Sequence, residues 1–207
     1  PSLGTGGNYS AIEVVELPSF EQIAEWHHNE TPIQGQIRIL RDILKWIEDS
    51  IGSDNVNDIY WSIENNNIGE AGLVVIKDIG EDQFPGLFVS EPIRKGHVRK
   101  FRKGFNTTHK SKIAACARLK HLIEQNTFKM HSKPLITELK AYIASGVSFK
   151  AKVGEYDDLV SSLLLAVRMS QVLADWDPRV FETLSSRGDF DEEDFEPPMP
   201  IFVSTGM

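Results

Sequence analysis

Cysteine is almost absent from this chain: Cys116 is alone among 207 residues. That excludes an intrachain disulfide and suits a reducing compartment. Its surroundings, IAACARLKHL, have a helical pattern, so Cys116 reads as a small buried residue. Long apolar runs are missing too. Nothing approaches the roughly 18 consecutive apolar residues of a membrane span, and no basic-then-apolar signal segment opens the chain. GTGGNYS is glycine-rich but lacks the Lys-Ser/Thr of a nucleotide P-loop. No GxxxxGK[ST] occurs anywhere, which argues against ATP hydrolysis. No Cys/His spacing suits zinc, and nothing local supports a Ser-His-Asp triad. His27 and His28 are adjacent in a strand pattern, where neighbours face opposite ways, so they do not readily share one metal. Hydrophobic content of 41% and charged content of 25% are ordinary for a soluble globular chain.

Charge is present but unevenly spread. The net charge is −8, yet Arg94 to Lys133 holds twelve Lys and Arg against one acid, Glu124. That is a local +11 and leaves −19 for the rest. Four of the six histidines, His97, His109, His121 and His131, share this stretch. Such asymmetry points to a polyanionic partner on one face, or otherwise to a solvated basic surface. The far end is the mirror image: Asp175 to Glu196 holds nine acids and two arginines. This part, 177–207, reads as a mobile acidic tail behind a domain spanning 1–176.

Periodicity predicts strands over AIEVVEL and QIAEWHH, joined at Pro18-Ser19. IQGQIRILRDILKWIEDSIG predicts a helix, with Ile37, Leu40, Leu44, Ile47 and Ile51 on one face and Gly52 to stop it. A buried strand follows over 58–64, then a helix over IGEAGLVVIKDIG and a short strand at GLFVSE. THKSKIAACARLKHLIEQN predicts a helix, TFKMHS a strand, KPLITELKAYIAS a helix, VSFKAK a strand and 157–175 a long last helix. Trp26, Trp46 and Trp61 are expected in the core. Hairpin strands followed by alternating strands and helices imply an α/β fold, a mixed central sheet flanked by helices.

Two acidic positions could carry chemistry. Glu64 ends an apolar strand in YWSIENNN. It is either an exposed strand-end acid bonded to the asparagines or a ligand. Asp157 and Asp158 open the last helix. One can be the N-cap, with the other favoured by the helix dipole. Alternatively, their mutual repulsion is relieved by a divalent cation, which takes oxygen ligands of this kind. Carboxylates gathered at one sheet edge can hold two such ions for phosphodiester cleavage.

IENNNIG, a basic linker with THKSKIAACARLKHLIE, and then GVSFKAKVGEYDDLVSSLLLA resemble the nuclease domain of phage terminase large subunits, the T-even-type myophages most. The resemblance runs from residue 1 to about 175, and EDFEPPMPIFVSTGM looks like the C-terminal end of such proteins. It implies an RNase H-like fold and an Mg- or Mn-dependent endonuclease with a two-metal site, cutting concatemeric double-stranded DNA during packaging in the host cytoplasm. It implies Glu64 and Asp158 as catalytic ligands, with Asp157 as second ligand or helper. The basic stretch, Arg99, Lys100, Arg102, Lys103, Lys110, Lys112, Arg118 and Lys120, would contact phosphates. The ATPase domain, the portal and the small terminase subunit would be partners.

Two departures accompany the resemblance. The family's first acid would directly precede Pro1, so the chain reads as a fragment with PSLGTGGNYS the turn of a hairpin whose first strand is missing. Impaired cleavage is expected from it. Asn8 also stands where some relatives carry an acid. Two other readings remain at this point. One is a DNA-binding or motor-docking module without chemistry; the other is a related nuclease of this fold, such as a junction resolvase.

Overall fold

The computed structural model describes residues 1–95, 98–146 and 148–176, with the backbone alone for 93–95, 98–102 and 176. The acidic stretch 177–207 therefore lies outside the described residues. Strands β1 (Ser10–Glu16) and β2 (Glu21–His28) form an antiparallel ladder with a register shift between Val14 and Val15. Helix α1 (Ile33–Ile51) follows the predicted apolar spacing and buries Ile37 and Leu44. It stops at Gly52, whose φ of +88° lies in the left-handed region that only glycine adopts freely.

Strand β3 (Tyr60–Trp61), helix α2 (Ile68–Ile79) and strand β4 (Leu87–Phe88) form a parallel βαβ unit. Strands β5 (Glu91–Lys95) and β6 (Val98–Arg102) make an antiparallel hairpin. Helices α3 (His109–Glu124) and α4 (Lys133–Ala141), the hairpin of β7 (Tyr142–Ser145) and β8 (Ser148–Ala151), and helix α5 (Asp158–Trp176) complete the order. Thr108 caps α3 in a reciprocal box with Ser111, which fixes where that helix begins.

The structure corrects the sequence reading in several places. The basic linker is largely the β5–β6 hairpin. YIAS is strand β7, not the end of α4: Tyr142 and Ile143 pair with Ala151 and Lys150, and the chain reverses at Gly146 (φ +61°). There, cross-strand pairing overrides the helical apolar spacing. TFKMHS makes only a single bridge, Lys129 to Glu21. The strand expected over 58–64 has ladder pairing only at Tyr60–Trp61, plus a bridge from Glu64 to Phe105. Trp61 is buried at 4% exposure, Trp26 is half-buried, and Trp46 is not core: it stands 50% exposed. Cys116 is half-buried.

The core has two main parts. One, with Phe20, Leu119, Leu122, Leu135 and Leu163, lies among the first hairpin, α3, α4 and α5. The other, with Ile37, Leu44, Trp61, Ile63 and Ile76, lies among α1, β3 and α2. Trp61 stacks on Phe84 with ring centroids 5.2 Å apart. Val89, Phe105 and Leu173 form a third, smaller cluster. No helix among the described residues is long and apolar enough to cross a membrane.

Candidate metal centre

Glu64 is held by its neighbours on both sides. Phe105 N–H donates to the Ile63 carbonyl (3.0 Å), and Asn65 N–H donates to the Phe105 carbonyl (2.6 Å). Asn66 Nδ2 donates to Glu64 Oε1 at 3.1 Å and reaches the Thr107 carbonyl at 3.4 Å. The asparagine bond foreseen for a strand-end acid thus exists, and it orients the carboxylate. Asn67 takes a φ of +41°, so α2 starts immediately behind Glu64. Gly69 permits that packing: a Cβ there would stand 1.7 Å from the Glu64 carbonyl oxygen.

The acid pair opens α5. The Asp157 carbonyl accepts from Ser161 N–H at 2.8 Å, which makes Asp157 the backbone cap and Asp158 the first helical residue. The side-chain capping comes from elsewhere. Glu138 of α4 accepts from Leu159 N–H (2.9 Å) and Val160 N–H (3.1 Å). Both aspartate side chains are thereby released from the cap. Asp158 Oδ2 accepts from Tyr9 N–H at 3.3 Å, and Asp157 Oδ2 lies 3.7 Å from Lys112 Nζ.

Glu64 and Asp158 both act electrostatically on the amino group of Pro1. Burial lowers the pKa of that amine, while the charges of Glu64 and then Asp158 pull it upward. Burial holds Asp158 above the usual carboxylate range; Asp157 adds to the shift, and the Tyr9 N–H, the Pro1 amine and His27 oppose it. Burial likewise raises Glu138, against its two helix N–H bonds, with Asp158 and Asp157 adding. Burial is the first cause of both raised values, and a nearby cation would offset the Asp157 charge that adds to each. Among the described residues, no three acid, histidine or cysteine side chains come together as a cage. The donors present are nonetheless hard oxygens. They suit a magnesium-like ion, which keeps several waters and takes only one or two carboxylates.

Other expected residues fall as follows. Asn8 is exposed, beside Tyr9. Tyr9 packs against His27 (centroids 5.3 Å) and edge-on to Tyr156 (4.8 Å). Of the expected phosphate contacts, Lys112 belongs to the site itself, beside Asp157 and 5.4 Å from the Tyr142 ring centroid. Lys110 is exposed on α3, Arg118 is half-buried, and Lys120 pairs with Glu124 at 3.6 Å. Lys103 pairs with Glu81 and lies over Phe88. Arg99, Lys100 and Arg102 lie on β6, outside the residues whose side chains are described.

Sequence reasoning missed Glu138 and Arg168, and considered His27 only as a metal ligand beside His28. Arg168, on α5, is 8% exposed. It donates to Glu91 Oε1 (2.5 Å), the Asn106 carbonyl (3.2 Å) and Thr107 Oγ1 (3.4 Å), and lies 5.2 Å from the Phe105 ring centroid. It therefore fastens α5 to the segment that pairs with Glu64. A lone arginine inside the apolar α5 pattern was the available signal.

Comparison with known proteins agrees with this architecture. The family model of the terminase RNase H-like domain matches residues 1–170. The cobalt-bound large terminase nuclease of thermophilic phage G20c is similar in fold, with a TM-score of 0.54 at 17% identity over 79% of this chain and 76% of that one. Its magnesium-bound form gives a TM-score of 0.53 at 17% identity over 78% and 74%.

Proposed function

The chain belongs to the terminase RNase H-like domain family, and on that premise we propose that it is a metal-dependent endonuclease domain cutting concatemeric double-stranded viral DNA during packaging. One observation carries this reading. Glu64, at the end of the β3 segment, is oriented by Asn66, and Asp158, at the start of α5, is not used to cap its helix because Glu138 does that. Both would hold the metal, with Asp157 assisting. The metal-bound nucleases of phage G20c support a divalent ion of the magnesium kind. Such an ion supplies water activation and charge neutralisation for in-line phosphodiester cleavage. Lys112 balances Asp157, and α3 with the β5–β6 hairpin would face the phosphates. By the same reading, the domain works in the host cytoplasm as part of a T-even-like motor, with the ATPase domain, portal and small subunit as partners.

By the same family resemblance, a carboxylate directly ahead of Pro1 would be a third ligand. The test is a plasmid-nicking assay in magnesium or manganese. We expect weak cleavage from the 207-residue chain and strong cleavage once an acidic residue and a strand precede Pro1. Glu64→Gln and Asp158→Asn should each lower the latter by about 10²–10⁴-fold, the range of an essential charged group. An inert extended chain, or full activity in either variant, overturns the assignment. The lack of a three-ligand cage among the described residues favours one second reading, a DNA-binding module without chemistry. Salt-dependent DNA binding without calorimetric magnesium binding would select it.

A further inference from the structure

The side-chain cap of α5 comes from another helix. Asp157 is the backbone cap, so the N–H groups its own carboxylate would ordinarily take are those of Leu159 and Val160. Both residues are buried, and buried N–H groups must be paired. Yet neither bond goes to Asp157. One oxygen, Glu138 Oε2 on α4, accepts both, at 2.9 and 3.1 Å. Asp157 turns instead towards α3, where Lys112 Nζ lies 3.7 Å from its Oδ2.

Glu138 is brought there from a fixed base. Gln22 of β2, only 4% exposed, accepts from His131 N–H (3.0 Å) and Ser132 N–H (2.9 Å) through Oε1. Its Nε2 donates to Glu13 Oε2 at 3.0 Å and to Glu25 Oε2 at 3.3 Å. Ser132 Oγ caps α4 by accepting from Leu135 N–H at 2.9 Å. The start of α4 is therefore pinned to β2. Leu135 and Leu139 of the same helix pack in one core with Leu159, Val160 and Leu163. These contacts set where α4 lies against α5, and so where Glu138 meets the first turn of α5.

We propose that Glu138 is a positioning residue for the metal centre: by occupying the cap of α5, it keeps the Asp157 carboxylate out of that cap and beside Lys112, free to serve the metal. The use made of Asp157 rests on the nuclease reading; the capping itself does not. Two carboxylates compete for one pair of N–H groups. Without Glu138, Leu159 and Val160 would take the acceptor nearest in sequence, Asp157. The site would then lose the carboxylate that Lys112 now faces.

The experiment uses the 207-residue chain and first reads urea midpoints without metal. Glu138→Ala alone should lower the midpoint only slightly, because Asp157 takes over the cap. Glu138→Ala with Asp157→Ala should lower it by roughly twice the sum of the two single shifts or more, as coupled sites do. Glu138→Ala with Asp157→Asn should not, since asparagine caps as well as aspartate. That comparison separates capping from relief of like-charge repulsion. Additive shifts, or Asp157→Asn behaving as Asp157→Ala, overturn the proposal. If Glu138→Ala does not fold, Glu138→Met, which keeps the bulk without the acceptor, is read in its place. Manganese affinity by calorimetry then tests what the freed carboxylate is for. Glu138→Ala should weaken it about tenfold, as loss of a group behind a metal ligand does. Glu138→Gln should retain it, because one amide oxygen can accept both bonds. In the Asp157→Ala background, Glu138→Ala should weaken it no further. Equal weakening with and without Asp157 marks a merely structural role and overturns the positioning. Manganese binding by none of these proteins sinks the nuclease reading and the metal role of Asp157 with it. The urea comparison needs neither metal nor DNA, so the two failures are distinguishable.

Discussion

Glu13 stands on β1 with Oε1 buried and without a hydrogen-bond partner, while Oε2 accepts from Gln22 Nε2 at 3.0 Å. Burial is the main cause that pushes its pKa up from 4.5 to about 8; Glu25 and Glu138 add, and Gln22 opposes. The folded protein therefore keeps a proton that the unfolded chain has released, and stability falls as pH rises from 4.5 towards about 8. Glu13→Gln, which cannot ionise, should weaken this fall and raise the urea midpoint at about pH 9 more than at about pH 5. Equal midpoint shifts at the two pH values would remove Glu13 as the cause. At this scale the sequence marked Glu64 and Asp158, because charge at the end of an apolar strand or the start of an apolar helix is visible in one dimension. Glu138 was not visible. Its partners, the N–H groups of Leu159 and Val160, meet it only through packing of α4 on α5.

The same limit operates on whole elements. Helices α1, α2, α3 and α5 were legible because each carries an apolar stripe and a stop or a cap. Strand β7 was not, since YIAS continues the spacing of α4 and only the β8 ladder decides its state. The β5–β6 hairpin was hidden by its own charge, which reads as a solvated linker. Among the described residues, the Arg168–Glu91 pair ties the base of that hairpin to α5. Removing one partner of a buried ion pair costs about 3–5 kcal/mol. Arg168→Ala should therefore lower stability by that order in urea unfolding. Arg168→Lys should recover only part, because an ammonium cannot serve Glu91, Asn106 and Thr107 in one plane. Full recovery by lysine would mean that charge alone matters at this position.

Across the whole molecule, the charge asymmetry was legible from composition, whereas the parallel pairing of β3 with β4 was not. Strand order is a long-range property, and neither strand's own residues state which neighbour it takes. The asymmetry yields a further expectation. If α3 engages four phosphates through Lys110, Lys112, Arg118 and Lys120, DNA affinity should drop on the order of a hundredfold between about 50 and about 200 mM salt. Alanine at any one of the four should shallow the salt slope by about one contact, as measured by fluorescence anisotropy. A flat salt response would place the DNA elsewhere. Finally, α5 carries Asp158 at its first turn and Arg168 about 15 Å further along its axis. One end of this rod presents the proposed ligand Asp158, and its middle grips the segment that pairs with Glu64. A slip of the rod by one helical turn would misplace both ends of the site together. The two ends of the site are thus tied to one rigid element, and neither can be displaced along α5 without the other.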